Sequence, residues 1–168
     1  MWYCGIDVSS KKCYVVVSDA KGSTALSKEV DTDSRALRSA LEPYVGDKLK
    51  ITIEAGGETV WIYDCLVEFG AEVVVVNPKK VKLIAESRRK TDKIDAKILC
   101  ELLRVDGLPR AVHMPSPAAR VLRGMLKARR QLVRNRASLC NTVRGLCARK
   151  GLSWQFAASR LRRAGGNC

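Results

Sequence analysis

The sequence is poor in the residues that bind zinc. It contains a single histidine, His113, and none of its seven cysteines lies in a Cys-X-X-Cys pair, which argues against a zinc site. The cysteines are scattered and odd in number, which is typical of reduced thiols rather than of a disulfide framework. We therefore expect a cytoplasmic protein.

Long apolar runs are also missing. The longest strongly apolar run, 73–76, ends at an Asn-Pro pair, far short of the roughly 20 residues that a membrane-spanning helix needs. No basic stretch precedes Trp2, and Asp7 interrupts the apolar start, so we expect neither a signal peptide nor a membrane partner. With 168 residues, 46% of them hydrophobic, the chain suffices for one domain and an extension.

Acidic residues disappear from the last third of the chain. Residues 1–78 hold 8 Lys/Arg and 12 Asp/Glu, 79–106 hold 9 and 5, and 107–168 hold 14 and none, within a net charge of +14. A segment without acids cannot neutralise itself, and phosphate backbones are the commonest polyanionic partners. This charge distribution predicts nucleic-acid binding, with a solubilising basic tail as the alternative.

Apolar patterning predicts the element order β-β-β-α-β-α-β-α. Strands are expected at 2–8, 13–18, 24–30, 50–55 and 71–76, with the four valines 73–76 buried on both faces. Gly22 suits a hairpin turn between the second and third strands. The first helix follows a cap within 31–34 and ends at Pro43 and Gly46. The second helix covers 58–69 and stops at Gly70. Residues 78–105 are helical with a break near 87–90. The fold class is α/β, a mixed five-stranded sheet with helices on both faces.

The basic last third of the chain is expected to form a separate helix. We predict a mixed α/β domain at 1–106, a linker with three prolines at 107–117, a long basic helix at 118–150 and an irregular or disordered tail at 151–168. Apolar residues follow a 3-4 heptad spacing along that helix: Leu122, Met125, Leu132, Leu139, Val143 and Leu146. Arg129 and Arg136 interrupt this seam. Two interpretations stay open, a basic helix packed on a partner and a short coiled coil with phosphate-facing arginines.

Four carboxylates are expected at one edge of the sheet. Asp7 ends the first strand and Glu54 ends the fourth, and neighbouring parallel strands end at the edge where ligands bind. Asp92 and Asp95, three residues apart, begin a helix that can close over this edge. Carboxylates that converge repel one another unless a hard cation such as Mg²⁺ or Mn²⁺ joins them, and two such ions suit phosphodiester chemistry.

Simpler interpretations exist for each acid. Asp7 is also suited to start a turn, Glu54 to sit in a loop or cap a helix, and the Asp92–Asp95 pair to form a salt-bridged surface. Glu58 and Asp64 are weaker candidates, a charge at a helix N-terminus and a surface acid. Cations expected to hold phosphates surround the pair and line the long helix: Arg88, Arg89, Lys90, Lys93, Lys97, Arg123, Lys127, Arg129, Arg130, Arg134 and Arg136.

Four short motifs, in this order, resemble one known domain. They are Gly5-Ile6-Asp7-Val8-Ser9, Ile53-Glu54-Ala55-Gly56-Gly57, Val76-Asn77-Pro78 and Lys90-Thr91-Asp92-Lys93-Ile94-Asp95-Ala96. Over residues 1–150 the chain resembles the N-terminal, RuvC-like nuclease domain of DEDD transposases, the insertion-sequence recombinases related to the Piv/MooV invertases.

The resemblance implies several properties. The implied fold is ribonuclease-H-like. Asp7, Glu54, Asp92 and Asp95 are implied to be catalytic residues that bind two Mg²⁺ or Mn²⁺ ions. The implied activity is DNA transposition in a prokaryotic nucleoid. The resemblance also implies a homo-oligomer formed through the long helix and guidance by a structured noncoding RNA.

The sequence departs from that family at its end. Family members carry a second domain with a nucleophilic serine, and Ser153 and Ser159 lie in no matching context. Three hypotheses follow. In the first, the chain is the metal-dependent nuclease module of a transposase, an enzyme that is not autonomous. In the second, it is a non-catalytic, truncated remnant that binds DNA or RNA and dimerises. In the third, it is a stand-alone Holliday-junction resolvase.

Overall fold

The computed structural model describes residues 1–84 and 91–152, and the chain divides into two compact units, Met1–Met114 and Pro115–Cys168. The predicted break near 87–90, the cations Arg88, Arg89 and Lys90, and residues 153–168 of the predicted tail lie outside the described residues. The elements, in chain order, are β1 (Trp2–Val8), β2 (Lys12–Ser18), β3 (Thr24–Asp31), α1 (Ser34–Val45), β4 (Leu49–Glu54), α2 (Thr59–Glu68), β5 (Glu72–Val76), α3 (Pro78–Ile84), α4 (Asp92–Arg104) and α5 (Pro117–Arg149).

The five strands form one sheet in the order β3-β2-β1-β4-β5. β1 pairs antiparallel with β2, which pairs antiparallel with β3, whereas β1, β4 and β5 run parallel. The first three strands are joined by turns and the later ones by helices, which produces this division. The predicted mixed five-stranded sheet is confirmed, and β1 lies at its centre.

The two faces of β1 face different helices. Cys4 and Ile6 are fully buried in the main core cluster, which also contains Leu37 and Leu41 of α1 and Ile62 of α2. Side chains alternate along a strand, so Tyr3, Gly5 and Asp7 belong to the opposite face. There Ala96 and Cys100 of α4 are buried beside Val16, with Tyr3 and Tyr14 packed against them. Helices therefore cover both faces.

Local signals set most element ends. Asp33 caps α1, and its carboxylate accepts hydrogen bonds from the backbone of Arg35 and Ala36, each at 2.8 Å. Gly22 and Gly70 adopt the left-handed backbone expected of them, with φ of +87° and +91°. Gly46 follows α1 as predicted. Pro43 instead lies within its last turn, where its fixed φ is compatible with a helix.

The burial of β5 was predicted wrongly. Val75 and Val76 are buried, but Val73 and Val74 are only half-buried. The reason is topological, since β5 is the edge strand of the sheet and has a neighbour, β4, on one side. A run of valines cannot distinguish an edge strand from a central one.

Part of the predicted linker packs on the first unit. Val112 N donates to Val75 O at 2.7 Å, and Val112 and Met114 contact the main core cluster. Leu108 packs against the small cluster of Val76, Val81 and Leu99. Residues 108–114 thus run along the edge strand.

The second unit is built on α5. This helix has 33 residues, which corresponds to roughly 50 Å, and Ser116 caps its start. Its extent confirms the predicted long helix, and none of its residues is buried within the described part of the chain. Among the described helices, none combines the length and apolarity that crossing a membrane requires.

Candidate active site

A cleft opens where β1 and β4 end. Their parallel register pairs Ile6 with Ile53, so Asp7 and Glu54 follow at the same level of the sheet. Both acids line a cleft of about 280 Å³, together with the turn 8–10 and the loop 55–58. The structure thus brings Asp7 and Glu54 to one edge of the sheet, as the strand pattern predicts.

The same two acids belong to the face that α4 covers. Ile6 and Ile53 are fully buried in the main core on the α1–α2 side. Because consecutive side chains in a strand alternate, Asp7 and Glu54 belong to the other side of the sheet.

Gly5 lets α4 lie directly on β1. A Cβ atom at this position would stand 2.1 Å from Ala96 O and 2.4 Å from Cys100 N, both of them helix backbone atoms. The buried Cys100 Sγ donates to Tyr3 O at 3.2 Å and hydrogen-bonds with Ser18 Oγ at 3.1 Å. These contacts fix α4 against β1 in one register.

The direction of α4 brings its first turn to Asp7. Arg104, in the last turn of α4, donates to Ala20 O in the β2–β3 hairpin, which lies at the start of β1. α4 therefore runs opposite to β1. Asp92 lies about 6 Å along the helix from Ala96, and Asp7 lies about 6.6 Å along the strand from Gly5. Asp92 and Asp7 consequently reach similar levels along β1.

Thr91 caps the start of α4. Its Oγ1 accepts a hydrogen bond from Ile94 N at 3.3 Å, so both acids of the pair fall in the first turn. Asp92 is exposed and Asp95 half-buried. Within residues 1–84 and 91–152, however, no three His, Cys, Asp or Glu side chains are grouped closely enough to hold a metal ion. The structure brings the two pairs to one side of the sheet without joining them in one ligand group.

Thr59 is a functional candidate that sequence reasoning missed. Its side chain is buried, and Oγ1 accepts from Gly56 N at 2.6 Å and donates to Glu54 O at 2.9 Å. One hydroxyl thus ties the end of β4 to the start of α2 and fixes the backbone that carries Glu54. A hydroxyl residue at the first position of a helix, two positions after a Gly-Gly pair, is the sequence signal that could have identified it.

Glu58 also lines the cleft, although the sequence favoured a simple helix-end charge. It precedes α2 without a side-chain capping bond, and its carboxylate accepts from Trp61 Nε1 at 2.6 Å. Burial raises the pKa of the Cys13 thiol, and the charges of Asp7 and Glu58 raise it further, so both acids lie within electrostatic reach of β2. Asp64 lies further along α2 and does not line the cleft.

The expected phosphate-binding cations divide between the two units. Lys93 and Lys97 belong to α4, and both are exposed. Arg123, Lys127, Arg129, Arg130, Arg134 and Arg136 are all exposed on α5.

Comparison with known proteins identifies the family. A family model described as transposase, that of the DEDD transposases of IS110 insertion sequences, matches residues 4–149. The chain belongs to this DEDD transposase family. The resemblance drawn from the four short motifs is thereby confirmed.

Two curated relatives of this transposase domain come from Sinorhizobium fredii (strain NBRC 101917 / NGR234), and both are named as transposases. The protein y4rJ is 30% identical over 155 residues, which cover 89% of this chain and 38% of the relative. The protein y4qE is 27% identical over 135 residues, which cover 78% and 34%. The chain therefore spans little more than a third of the length of either relative.

Among solved structures, the chain is similar to Thermus thermophilus RuvC. RuvC in complex with a Holliday-junction substrate has 12% sequence identity and a TM-score of 0.48, covering 67% of this chain and 99% of that one. RuvC alone gives 13% identity and a TM-score of 0.45. The observed fold is a mixed five-stranded sheet with helices on both faces, the α/β class that the sequence predicts.

Proposed function

We propose that the chain is the metal-dependent nuclease module of a DNA transposase. Its active site would lie in the cleft at the ends of β1 and β4. One observation carries the proposal. Asp7 and Glu54 line a single cleft on the face of the sheet against which Gly5 seats α4, the helix that begins with Asp92 and Asp95. Membership of a transposase family supplies the reaction class.

The donor chemistry fits a divalent cation. Asp7, Glu54, Asp92 and Asp95 offer only carboxylate oxygens, which suit Mg²⁺ or Mn²⁺, and metal binding would have to draw the two pairs into one ligand group to hold two such ions. Bound ions would activate water and stabilise the charge that develops on a phosphodiester. Thr59 would keep Glu54 at the cleft, and the ammonium groups of Lys93 and Lys97 would bind flanking phosphates.

DNA, a structured noncoding RNA and further copies of the chain are the proposed partners. Support comes from residues 107–168, which have 14 basic and no acidic residues. On α5 the seam side chains Leu122, Leu132 and Leu139 are between 58% and 69% exposed. Packing these apolar side chains against a second helix would remove them from water, so we propose α5 as the oligomerisation helix.

Metal binding and DNA cleavage test the proposed site. Asp7→Asn and Asp92→Asn should each weaken Mn²⁺ binding, measured by calorimetry, and abolish Mg²⁺-dependent nicking, while unfolding and DNA binding change little. Asp64→Asn is the matched control, because it removes the same charge from a helix beside the cleft without lining it. Wild-type metal binding in both Asp7→Asn and Asp92→Asn would reject the site.

A non-catalytic role is the second candidate. It is favoured by the charge of residues 107–168, whose 14 basic and no acidic residues can attract nucleic acid without any contribution from the four acids of the cleft. A remnant that only binds DNA or RNA and dimerises would keep its nucleic-acid affinity when the four acids are replaced. It would lose that affinity when Arg129, Arg130, Arg134 and Arg136 are neutralised together.

A further inference from the structure

The six α5 cations expected to bind nucleic acid lie on two separate faces. Successive residues of a helix are rotated by about 100°, so Arg123, Lys127, Arg130 and Arg134, spaced four, three and four apart, share an arc of roughly 60°. We name these four residues the basic stripe. The stripe extends about 16 Å along the helix axis.

Two further arginines lie elsewhere on the helix. Arg129 and Arg136 are seven residues apart and continue the line of Leu122, Leu132 and Leu139. We name them the seam arginines. They lie about 140° around the helix from the centre of the basic stripe, with the helix body, about 10 Å across, between the two sets.

Nothing within the helix neutralises the stripe. Residues 107–168 contain no Asp or Glu, so no acid stands three or four residues from any of these cations. All four stripe residues are exposed. A straight row of cations this long matches a regular array of phosphates, since a duplex carries about ten phosphate charges in the same 16 Å.

We infer that the basic stripe binds the phosphate backbone of duplex DNA, whereas the seam arginines contribute little to that contact. This inference rests on the proposed function, which makes DNA the partner. When a duplex lies against the basic stripe, the seam arginines lie about 140° around the helix from it. The seam arginines also stand about one Debye length from a duplex on the stripe, so salt screens them. The sequence alone predicted that all six cations bind nucleic acid.

Two double variants with the same charge change test the assignment. Arg130→Gln with Arg134→Gln removes half of the stripe, and Arg129→Gln with Arg136→Gln removes both seam arginines. Glutamine keeps helix propensity close to that of arginine. The measured quantity is the dependence of the Kd for a DNA duplex on salt concentration. Circular dichroism and sedimentation under the same conditions allow comparison at equal helicity and oligomeric state.

The stripe variant should reduce the magnitude of the negative slope of log K, where K is the association constant, against log salt by about 1.8. Each lost phosphate contact removes about 0.9 from that magnitude. The seam variant should lower it by less than half as much as the stripe variant. Equal losses in the two variants, or a larger loss in the seam variant, would overturn the inference while leaving DNA as the partner. A stripe effect seen with an RNA duplex but not with DNA would overturn it in favour of RNA. Failure of the wild-type chain to bind DNA at low salt would instead reject the proposed function itself.

Discussion

Replacing Gly5 by alanine tests how closely the position of α4 is tied to the cleft. The added Cβ would stand 2.1 Å from Ala96 O, whereas ordinary contacts of such an atom begin near 3.4 Å. α4 would therefore have to move by about 1.3 Å, and overpacking of this kind costs about 1–3 kcal/mol. Since both obstructing atoms belong to helix backbone, no side-chain rotation can relieve the contact. We expect a loss of at least about 2 kcal/mol, toward the upper part of that range.

The displacement should affect the site more than the fold. Asp92 and Asp95 move with α4, and a misplacement of about 1 Å can cost roughly 100-fold in activity. Urea unfolding followed by circular dichroism measures the free energy of unfolding. Calorimetric titration measures the affinity of the proposed site for Mn²⁺, under conditions in which the chain stays folded. Gly46→Ala is the matched control, because Gly46 has helical φ (−59°) and a Cβ atom added there would have no neighbouring atom within 4 Å among the described residues. We expect this control to be neutral or slightly stabilising.

Two results would refute this reasoning. If Gly5→Ala unfolds within about 0.5 kcal/mol of wild type, the close approach of α4 to β1 does not exist in solution. If stability falls but Mn²⁺ affinity is unchanged, the seating of α4 does not set the position of the site. The second outcome would leave Asp7 and Glu54 as candidates and remove Asp92 and Asp95.

Two further predictions concern Thr59 and the buried thiols. Thr59→Val removes the hydroxyl that joins Gly56 N to Glu54 O; it should cost about 1–3 kcal/mol in urea unfolding and weaken Mn²⁺ binding, and Thr59→Ser should restore both. Burial raises the pKa of the Cys4, Cys13 and Cys100 thiols above the ordinary value of 9.0. The folded chain therefore binds more protons than the unfolded chain above about pH 9, so the free energy of unfolding should decrease as pH rises from 9. Equal pH dependence in a Cys4→Ala, Cys13→Ala variant would assign this effect to other groups.

Local patterns were sufficient to predict the elements and half of the candidate site. Strand and helix periods, the Asp33 cap and the Gly22 turn act over a few residues, so they can be identified along the chain. The meeting of Asp7 and Glu54 followed because a strand–helix–strand connection makes parallel neighbours whose ends share an edge. The mistake at Val73 and Val74 has the same origin, since a local pattern does not show which strand lies at the edge.

By itself, the sequence determined the order of the elements, the carboxylates at the ends of β1 and β4, and the division of charge between the two halves. The tertiary structure alone decided how α4 lies on the sheet. Gly5 looks like an ordinary strand residue until Ala96 and Cys100, more than 90 positions away, are found against it. Thr59 likewise acquires its role from two backbone partners. Such contacts depend on the register between segments far apart in the chain, and hydrophobic periodicity carries no information about that register.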